Sequence, residues 1–406
     1  MSANPQRPHL GWNFGLLVMG QGISQIGNNL FSLALLWFVL IKTHNRADLA
    51  YVACALTVPN ILGLLSGTLI DRMNRWNVMI GSDSIRLILS VVMGLVAVES
   101  QNSIIILIVL GVLIQVAGSA FQPAQVAIIP SLVSHELLGR ANGINQMVTM
   151  GTQIVGMASG GALMAVVGLP TLFFINAATF LFSVITLFLV RQPSHMAELR
   201  DRSFWSDWTE GMKIVVYDRL LRRLITIAII VNFSLAPVMS LDAAWVRQIL
   251  RQNTFHYGLA GACLMVGVII GNGLYGALAE KIRPSLVLPI ALSVMSFSVI
   301  CFANIPRFSV FAICLSVFGA FAGAVNTMVF TMVQNHVPAH SIGRVAGTLL
   351  ALTTASLPLG MSIAGFLARH LSLNWIFSGG GALAFIGVAI SIGLRSLASR
   401  AKSALE

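Results

Sequence analysis

About twelve apolar runs, each long enough to cross about 30 Å of hydrocarbon, follow one another along this 406-residue chain. They fall near 12–41, 49–70, 77–98, 103–131, 141–167 and 169–190, then near 222–249, 257–279, 285–304, 307–335, 345–368 and 371–397. A backbone in lipid must satisfy its own amides, so runs of this length and chemistry are helices. The expected fold is therefore an all-α integral membrane protein of about twelve transmembrane helices in two pseudo-symmetric six-helix bundles. The one long polar interval, Arg191 to Arg223, divides them. It predicts an N-terminal bundle over 1–190, a linker over 191–221 and a C-terminal bundle over 222–406.

Charge then orients the chain. Charged residues are only 9% of the total, against 57% hydrophobic ones, and the formal net charge is +11. With both ends on one side, that side collects Arg72, Arg75, Arg86, Arg140, Arg344 and the basic residues of the middle interval, outnumbering those opposite by about three to one. Both termini are thus expected in the cytoplasm of a multi-pass cell-membrane protein, a bacterial inner membrane being the natural setting. The positive charge reflects threading and contact with anionic lipid, not nucleic acid, since no basic run alternates with exposed aromatics. Cys54, Cys263, Cys301 and Cys314 all lie in apolar runs without metal or redox spacing, and read as small core residues. There is no Gly-x-x-x-x-Gly-Lys-Ser/Thr loop for ATP, and no nucleophile, base and acid set. No cofactor and no enzymatic chemistry are expected.

Two internal echoes support a duplicated architecture. The loop Gly67-Thr68-Leu69-Ile70-Asp71-Arg72 returns as Gly276-Ala277-Leu278-Ala279-Glu280-Lys281, with glycine, leucine, acid and base in the same order. Gly139, Arg140, Gly143, Gly156 and Gly161 recur at constant offset as Gly343, Arg344, Gly347, Gly360 and Gly365. An offset held across that many positions identifies homologous halves, with a binding site expected between them.

The run Gly67-x-Leu69-x-Asp71-Arg72-x-x-Arg75 resembles the loop motif after the second helix of the major facilitator superfamily. Val337-Pro338-x-x-x-Ile342-Gly343-Arg344-Val345-x-Gly347, Phe121-x-Pro123-Ala124 and Glu210-Gly211 are similar to its macrolide-efflux branch of drug:proton antiporters. There are two departures. Asn74 and Trp76 stand where the loop motif has a glycine and a second base, and Gly156-Met157-Ala158-Ser159-Gly160-Gly161 lacks the proline of the fifth-helix antiporter motif. The resemblance implies a secondary transporter of small molecules working by alternating access, with the first, fourth, seventh and tenth helices around a central cavity.

Polar stripes fall on those same helices. Gln21, Gln25, Asn28, Asn29 and Ser32 mark the first, Gln115, Ser119 and Gln122 the fourth, Asn232 the seventh, and Asn326, Thr327 and Thr331 the tenth. Amides in hydrocarbon need partners or water, so these are the candidate substrate-binding residues; hydrogen bonding between helices is the competing explanation. Few charges accompany them, which favours a neutral or amphipathic cargo. Gly67, Asp71, Arg72 and Arg75, extended by Asp83 and Arg86, are expected to form a cytoplasmic gate, with Glu136, Arg140, Glu280, Lys281 and Arg344 as counterparts across the halves. Gly156, Gly160 and Gly161, with Gly360 and Gly365, permit close helix packing, on the fifth span against a helix of the other half.

A proton-driven carrier needs an acid in or near the cavity, and Asp242 is the first candidate, Asp83 the second. Between the bundles, Phe204, Trp208, Met212 and Val215 share one face of a stretch over 203–217, which predicts an amphipathic interfacial helix that anchors the linker or docks a regulator. The combined expectation is proton-coupled export of small amphipathic compounds by a monomer in the bilayer. The alternatives are a dedicated lipid, siderophore or metabolite carrier or uniporter, and a non-transporting receptor or scaffold.

Overall fold

The computed structural model describes residues 10–71, 73–99, 104–190, 204–279, 282, 284–338 and 341–392, without the side chains of 62–71, 135, 204–207 and 285. Every regular element among them is helical: α1 (Trp12–Thr43), α2 (Arg46–Asp71), α3 (Arg75–Glu99), α4 (Ile104–Ser119), α5 (Phe121–Leu132), α6 (Leu138–Leu189) and α7 (Phe204–Tyr217), then α8 (Arg219–Ala244), α9 (Thr254–Leu278), α10 (Pro284–Asn304), α11 (Phe308–His336), α12 (Ile342–Leu367) and α13 (Leu373–Ile392). Ten segments are long and apolar enough to cross a membrane, α4 and α5 together making one. The 52-residue α6 is two helices joined at Gly168, whose φ of 76° suits glycine and few other residues, and Pro170 opens the second arm. With α6 counted as two and α2 included, the expected twelve spans are all present.

The chain groups into two compact units, Met1–Ala34 with Leu62–Asp201, and Leu35–Ile61 with Arg202–Glu406. In the first, Phe14 and Leu17 of α1, Trp76 and Met79 of α3, Phe121 and Ile129 of α5 and Leu187 of α6 form one buried cluster. Asn74, where the loop motif has glycine, starts α3: its side-chain oxygen accepts from the Trp76 amide at 3.0 Å. Arg75 donates to the Ala127 carbonyl of α5 at 3.0 Å, tying the start of α3 to its neighbour. The rest of that loop motif, Gly67, Asp71 and Arg72, and its echo Glu280 and Lys281, lie outside the described side chains.

In the second unit an aromatic knot forms around Trp245, fully buried, with Phe302 at 5.8 Å and Phe377 at 5.3 Å between ring centroids. The first part of α2, up to Ile61, belongs to this unit: Ala53 packs with Ala236 and Met361, and Cys54 Sγ reaches the Pro358 carbonyl at 3.4 Å. The tightest seam lies between α9 and α11. A Cβ on Gly267 or Gly271 would overlap the backbone carbonyl of Ser316 or Ala320, and one on Gly319 or Gly323 would overlap that of Leu264 or Val268. Glycines alternate across the seam, so each backbone rests on the other without side chains between them, as small-x-x-x-small pairs allow.

The repeat has a packing counterpart. A Cβ on Gly156 would stand 2.6 Å from the Cβ of Asn29, and one on Gly160 would stand 3.2 Å from Leu30; both glycines seat α6 against α1. Gly360 does the same for α12 against α8, 2.6 Å from the Ala236 Cβ. Gly161 is buried, and Gly365 faces Ala50 at 3.1 Å. The expectation that the fifth-span glycines meet a helix of the other half is corrected: Gly156 and Gly160 touch α1 of their own unit, because the duplicated halves each pack first on fifth.

The predicted interfacial helix is present as α7, and it docks on α12. Glu210 pairs with Arg344. Next to it, a Cβ on Gly211 would stand 2.8 Å from the Arg344 carbonyl oxygen and 2.5 Å from Thr348 Oγ1, which explains the Glu-Gly step. Val215 joins Leu221, Val333 and Val345 in a buried cluster. Arg344, expected as a partner across the halves, is therefore engaged inside the second unit. Asp218 links α7 to α8: one carboxylate oxygen accepts from the amides of Leu220 and Leu221, both at 2.9 Å. The other accepts from His336 Nε2 at 2.7 Å. Partial burial pushes this carboxyl up, but the Leu221 amide, His336 and the Leu220 amide outweigh it and hold it below its ordinary 3.8. Replacing Asp218 by alanine is expected to lower thermal stability by about 1 kcal/mol, a typical loss for a helix cap. Since the folded-state value lies below the unfolded one, the contribution is complete above that ordinary value and lost as pH falls through the folded value. Thermal melts should therefore show the gap between wild type and Asp218→Ala closing as pH falls below roughly 4.

Candidate functional site

Three features among the described residues bring polar groups into the apolar interior. The first is a seam between α3, α6 and α1. Asp83 and Arg86 sit one turn apart on α3 and pair at 3.0 Å, with side chains 0% and 7% exposed. Ser183 of α6 donates to the second Asp83 oxygen at 2.6 Å, and Gln21 of α1 donates to Ser183 at 3.1 Å. The Arg86 guanidinium lies 4.1 Å from the centroid of the Phe180 ring and against Gly118 of α4, where any Cβ would stand 3.1 Å away. One helical turn on, Asn176 donates to Ser90 at 3.4 Å.

This seam corrects two expectations. Gln21, read as cargo-lining, is a buried link in an ion-pair network, because Ser183 lies opposite it. Asp83 and Arg86, read as an extension of a gate, pair as expected but are enclosed within the first unit. Each neutralises the other's charge, so protonating Asp83 would strand a buried guanidinium.

The second feature is Asp242, late in α8. Tyr257 of α9 donates to it at 3.4 Å, and the Ala243 amide donates to it at 2.7 Å. No ion pair joins it to a cation among the described residues. Trp37 stacks on Tyr257 at 5.5 Å between centroids, which encloses the phenol. Immediately after Asp242 the helix widens into a π turn, Trp245–Ile249. Such turns shift side-chain register by one residue and recur at functional sites.

The third is a cavity of about 570 Å³ within the second unit, walled by α8, α9, α10, α11 and α12. Asn232, Asn326 and Thr353 are its polar residues; the rest of the lining is apolar, with no charged side chain. Asn232 donates to the Thr353 carbonyl at 3.2 Å, keeping its own carbonyl oxygen as an acceptor.

The remaining candidates separate by neighbour. Thr327 donates to Asn272 of α9 at 2.9 Å, and Thr331 bonds its own helix at the Thr327 carbonyl. Asn29 donates to the Gln25 carbonyl at 2.9 Å and packs on Gly156. Asn28 keeps a buried side-chain oxygen without a partner. Ser32 and Gln115 are half-buried, as is Ser119, which bonds the Val116 carbonyl; Gln122 is exposed. Glu136 and Arg140 are exposed, and neither is bonded to another described residue. Polar periodicity did not point to the apolar cavity walls, and α10 least of all: Leu288, Leu292 and Met295 line it. Their signal is the heptad-like spacing of large apolar residues opposite the exposed Ile290 and Phe297.

Known proteins match this chain over most of its length. It is 24% identical over 368 residues to macrolide efflux protein A of Streptococcus pyogenes, covering 88% of this chain and 90% of that protein. It is 25% identical over 375 residues to the multidrug efflux pump Tap of Mycobacterium tuberculosis, covering 89% and 88%. Among solved structures, a bacterial homolog of the human lysosomal transporter Spinster, inward-facing and unoccupied, superposes with a TM-score of 0.73 at 15% identity, covering 97% of this chain and 98% of that one. An inward-facing bacterial homologue of the iron transporter ferroportin gives 0.74 at 17% identity, covering 94% and 98%. The profile of the transmembrane secretion effector family matches residues 7–404. This chain belongs to that family, within the major facilitator superfamily, and is a transporter and not an enzyme.

Proposed function

We propose that this protein exports small, uncharged or amphipathic compounds by alternating access, driven by protons flowing inward, with both termini in the cytoplasm. The observation that carries the reading is Asp242: a carboxyl inside a span, held by a phenol and an amide and by no cation among the described residues. Such a group can take up and release a proton without stranding an opposite charge, which Asp83 beside Arg86 cannot do. The neighbouring π turn gives α8 a place to change register as the proton comes and goes. The uncharged lining of the cavity in the second unit suits the cargo class. The efflux relatives support the direction of transport.

In proteoliposomes with an imposed pH gradient, wild-type protein is expected to accumulate a neutral amphipathic dye against its concentration gradient. Asp242→Asn is expected to abolish that accumulation, a loss of at least tenfold, while downhill exchange of the dye persists. Wild-type flux that ignores collapse of the gradient would assign the protein to uniport. Unchanged accumulation by Asp242→Asn would remove Asp242 from the proton path.

A further inference from the structure

We infer that one end of the second unit is a docking surface for anionic phospholipid, with arginines on the headgroups and neighbouring apolar side chains among the acyl chains. With both termini in the cytoplasm, as proposed above, this is the outer leaflet. The inference rests on that orientation for the choice of leaflet alone.

Four connections meet at this end, those joining α1 to α2, α8 to α9, α10 to α11 and α12 to α13. Arg46 at the start of α2 donates to Gln248 in the π turn. The His256 and Phe308 rings lie 4.7 Å apart between centroids, and Asn374 donates to the Ala303 carbonyl at 2.7 Å. The connections therefore form one surface and not four separate tips. Lys42, Arg46, Arg247, Arg251, Arg307 and Arg369 stand on it. Across 42–48, 245–254, 304–308 and 367–373 the one acid is Asp48; Asp242 lies a turn deeper in α8, bonded to Tyr257. A basic surplus at this end runs against the charge bias that orients the rest of the chain.

None of the five arginines is paired with a carboxylate among the described residues. Arg46 rests on a neutral amide, and the Arg369 guanidinium lies 5.5 Å from the centroid of the Tyr51 ring. The guanidinium groups of Arg247, Arg251 and Arg307 are exposed and make no hydrogen bond or ion pair to a described residue. At the opposite end of the unit Arg344 has Glu210 and His336 has Asp218. Like charges gathered on one face attract anions, and the guanidinium fork matches phosphate oxygens. The apolar side chains beside them decide between a lipid and a dissolved anion. Phe255, Ile305 and Leu371 are 45%, 45% and 44% exposed and Trp375 is 72% exposed, each within a few residues of Arg251, Arg307 or Arg369. A free anion would leave those side chains in water. A phospholipid takes the arginines at its headgroup and the apolar groups below it, the usual pairing at a bilayer border.

The test is photolabelling of the full-length protein in phosphatidylcholine nanodiscs. Trace phosphatidylglycerol or trace phosphatidylcholine is added, each with the same diazirine high on an acyl chain, and labelled residues are read by peptide mass spectrometry. Label on Phe255, Ile305, Leu371 and Trp375 is expected to be greater from phosphatidylglycerol by about fivefold or more, the weight of one basic residue near an anionic surface. Arg251→Gln combined with Arg307→Gln and Arg369→Gln is expected to bring the ratio of the two lipids to about one. Arg307→Gln alone is expected to lower that ratio about twofold, and it carries the test if the triple variant does not fold.

Equal labelling of wild type by the two lipids would overturn the proposal, since that is the pattern of bare bilayer contact with solvated arginines. So would a preference that the variants retain. A preference removed by inorganic phosphate, but not by chloride of equal ionic strength, would assign the surface to a free anion and overturn the lipid. Labelling is read without flux, so a lipid preference without proton-driven accumulation would sink the export reading alone, and accumulation without a lipid preference would sink the docking surface alone.

Discussion

Gly271→Val is expected to prevent recovery of folded, monodisperse protein. A Cβ at this position would run into the Ala320 carbonyl oxygen on the opposite helix, and further carbons would force α9 and α11 apart along their length. Overpacking of this kind costs on the order of 3 kcal/mol. The separation would also remove the contacts at Gly267, Gly319 and Gly323, because all four glycines share one seam. Gly273→Val, two residues along the same helix, meets nothing within 4 Å and is expected to behave as wild type apart from a small propensity change. Size-exclusion profiles and thermal melts of the two variants side by side check this. Equal behaviour would mean that the close approach is not what holds the pair.

The second large effect is expected at the buried ion pair. Arg86→Leu leaves the Asp83 carboxylate enclosed with Ser183 as its remaining side-chain donor. Removing one member of a buried pair costs about 3 to 5 kcal/mol, because the survivor keeps its desolvation penalty and loses its compensation. Removing both costs much less. Asp83→Asn combined with Arg86→Gln is thus expected to melt well above Arg86→Leu and close to wild type, a non-additive result that a double-mutant cycle measures. Additive losses would show that the two side chains act independently. A double variant that is stable but no longer transports would show that the seam contributes to function and not only to folding.

Much of the fold was legible because it depends on one-body properties of the chain. Length and apolarity locate spans, and Gly168 followed by Pro170 marks where one long helical run breaks. The fixed offset between Gly156 and Gly360 foretold matched packing in the two halves. What spacing could not supply was the identity of the neighbour. Gln21 and Asn29 belong to one polar stripe by periodicity, yet one meets Ser183 and the other a glycine of α6. Arg344 and Glu210 are 134 positions apart with no local cue that joins them, and only the docked α7 brings them together. The α9–α11 seam is a different case. Gly267-x-x-x-Gly271 and Gly319-x-x-x-Gly323 are both plain in the chain, but a small-residue motif names a contact surface without naming its mate.

That seam also decides which wall of the second unit can give. Two backbones that interlock carbonyl against glycine have no rotamers to exchange and no soft layer to shear, so α9 and α11 travel as a single board. Any widening of the cavity must come from the other walls, α8, α10 and α12 with Gly347. Changes in the range of molecules this protein carries are therefore expected to arise from substitutions on α8, α10 and α12, leaving the glycine joint untouched.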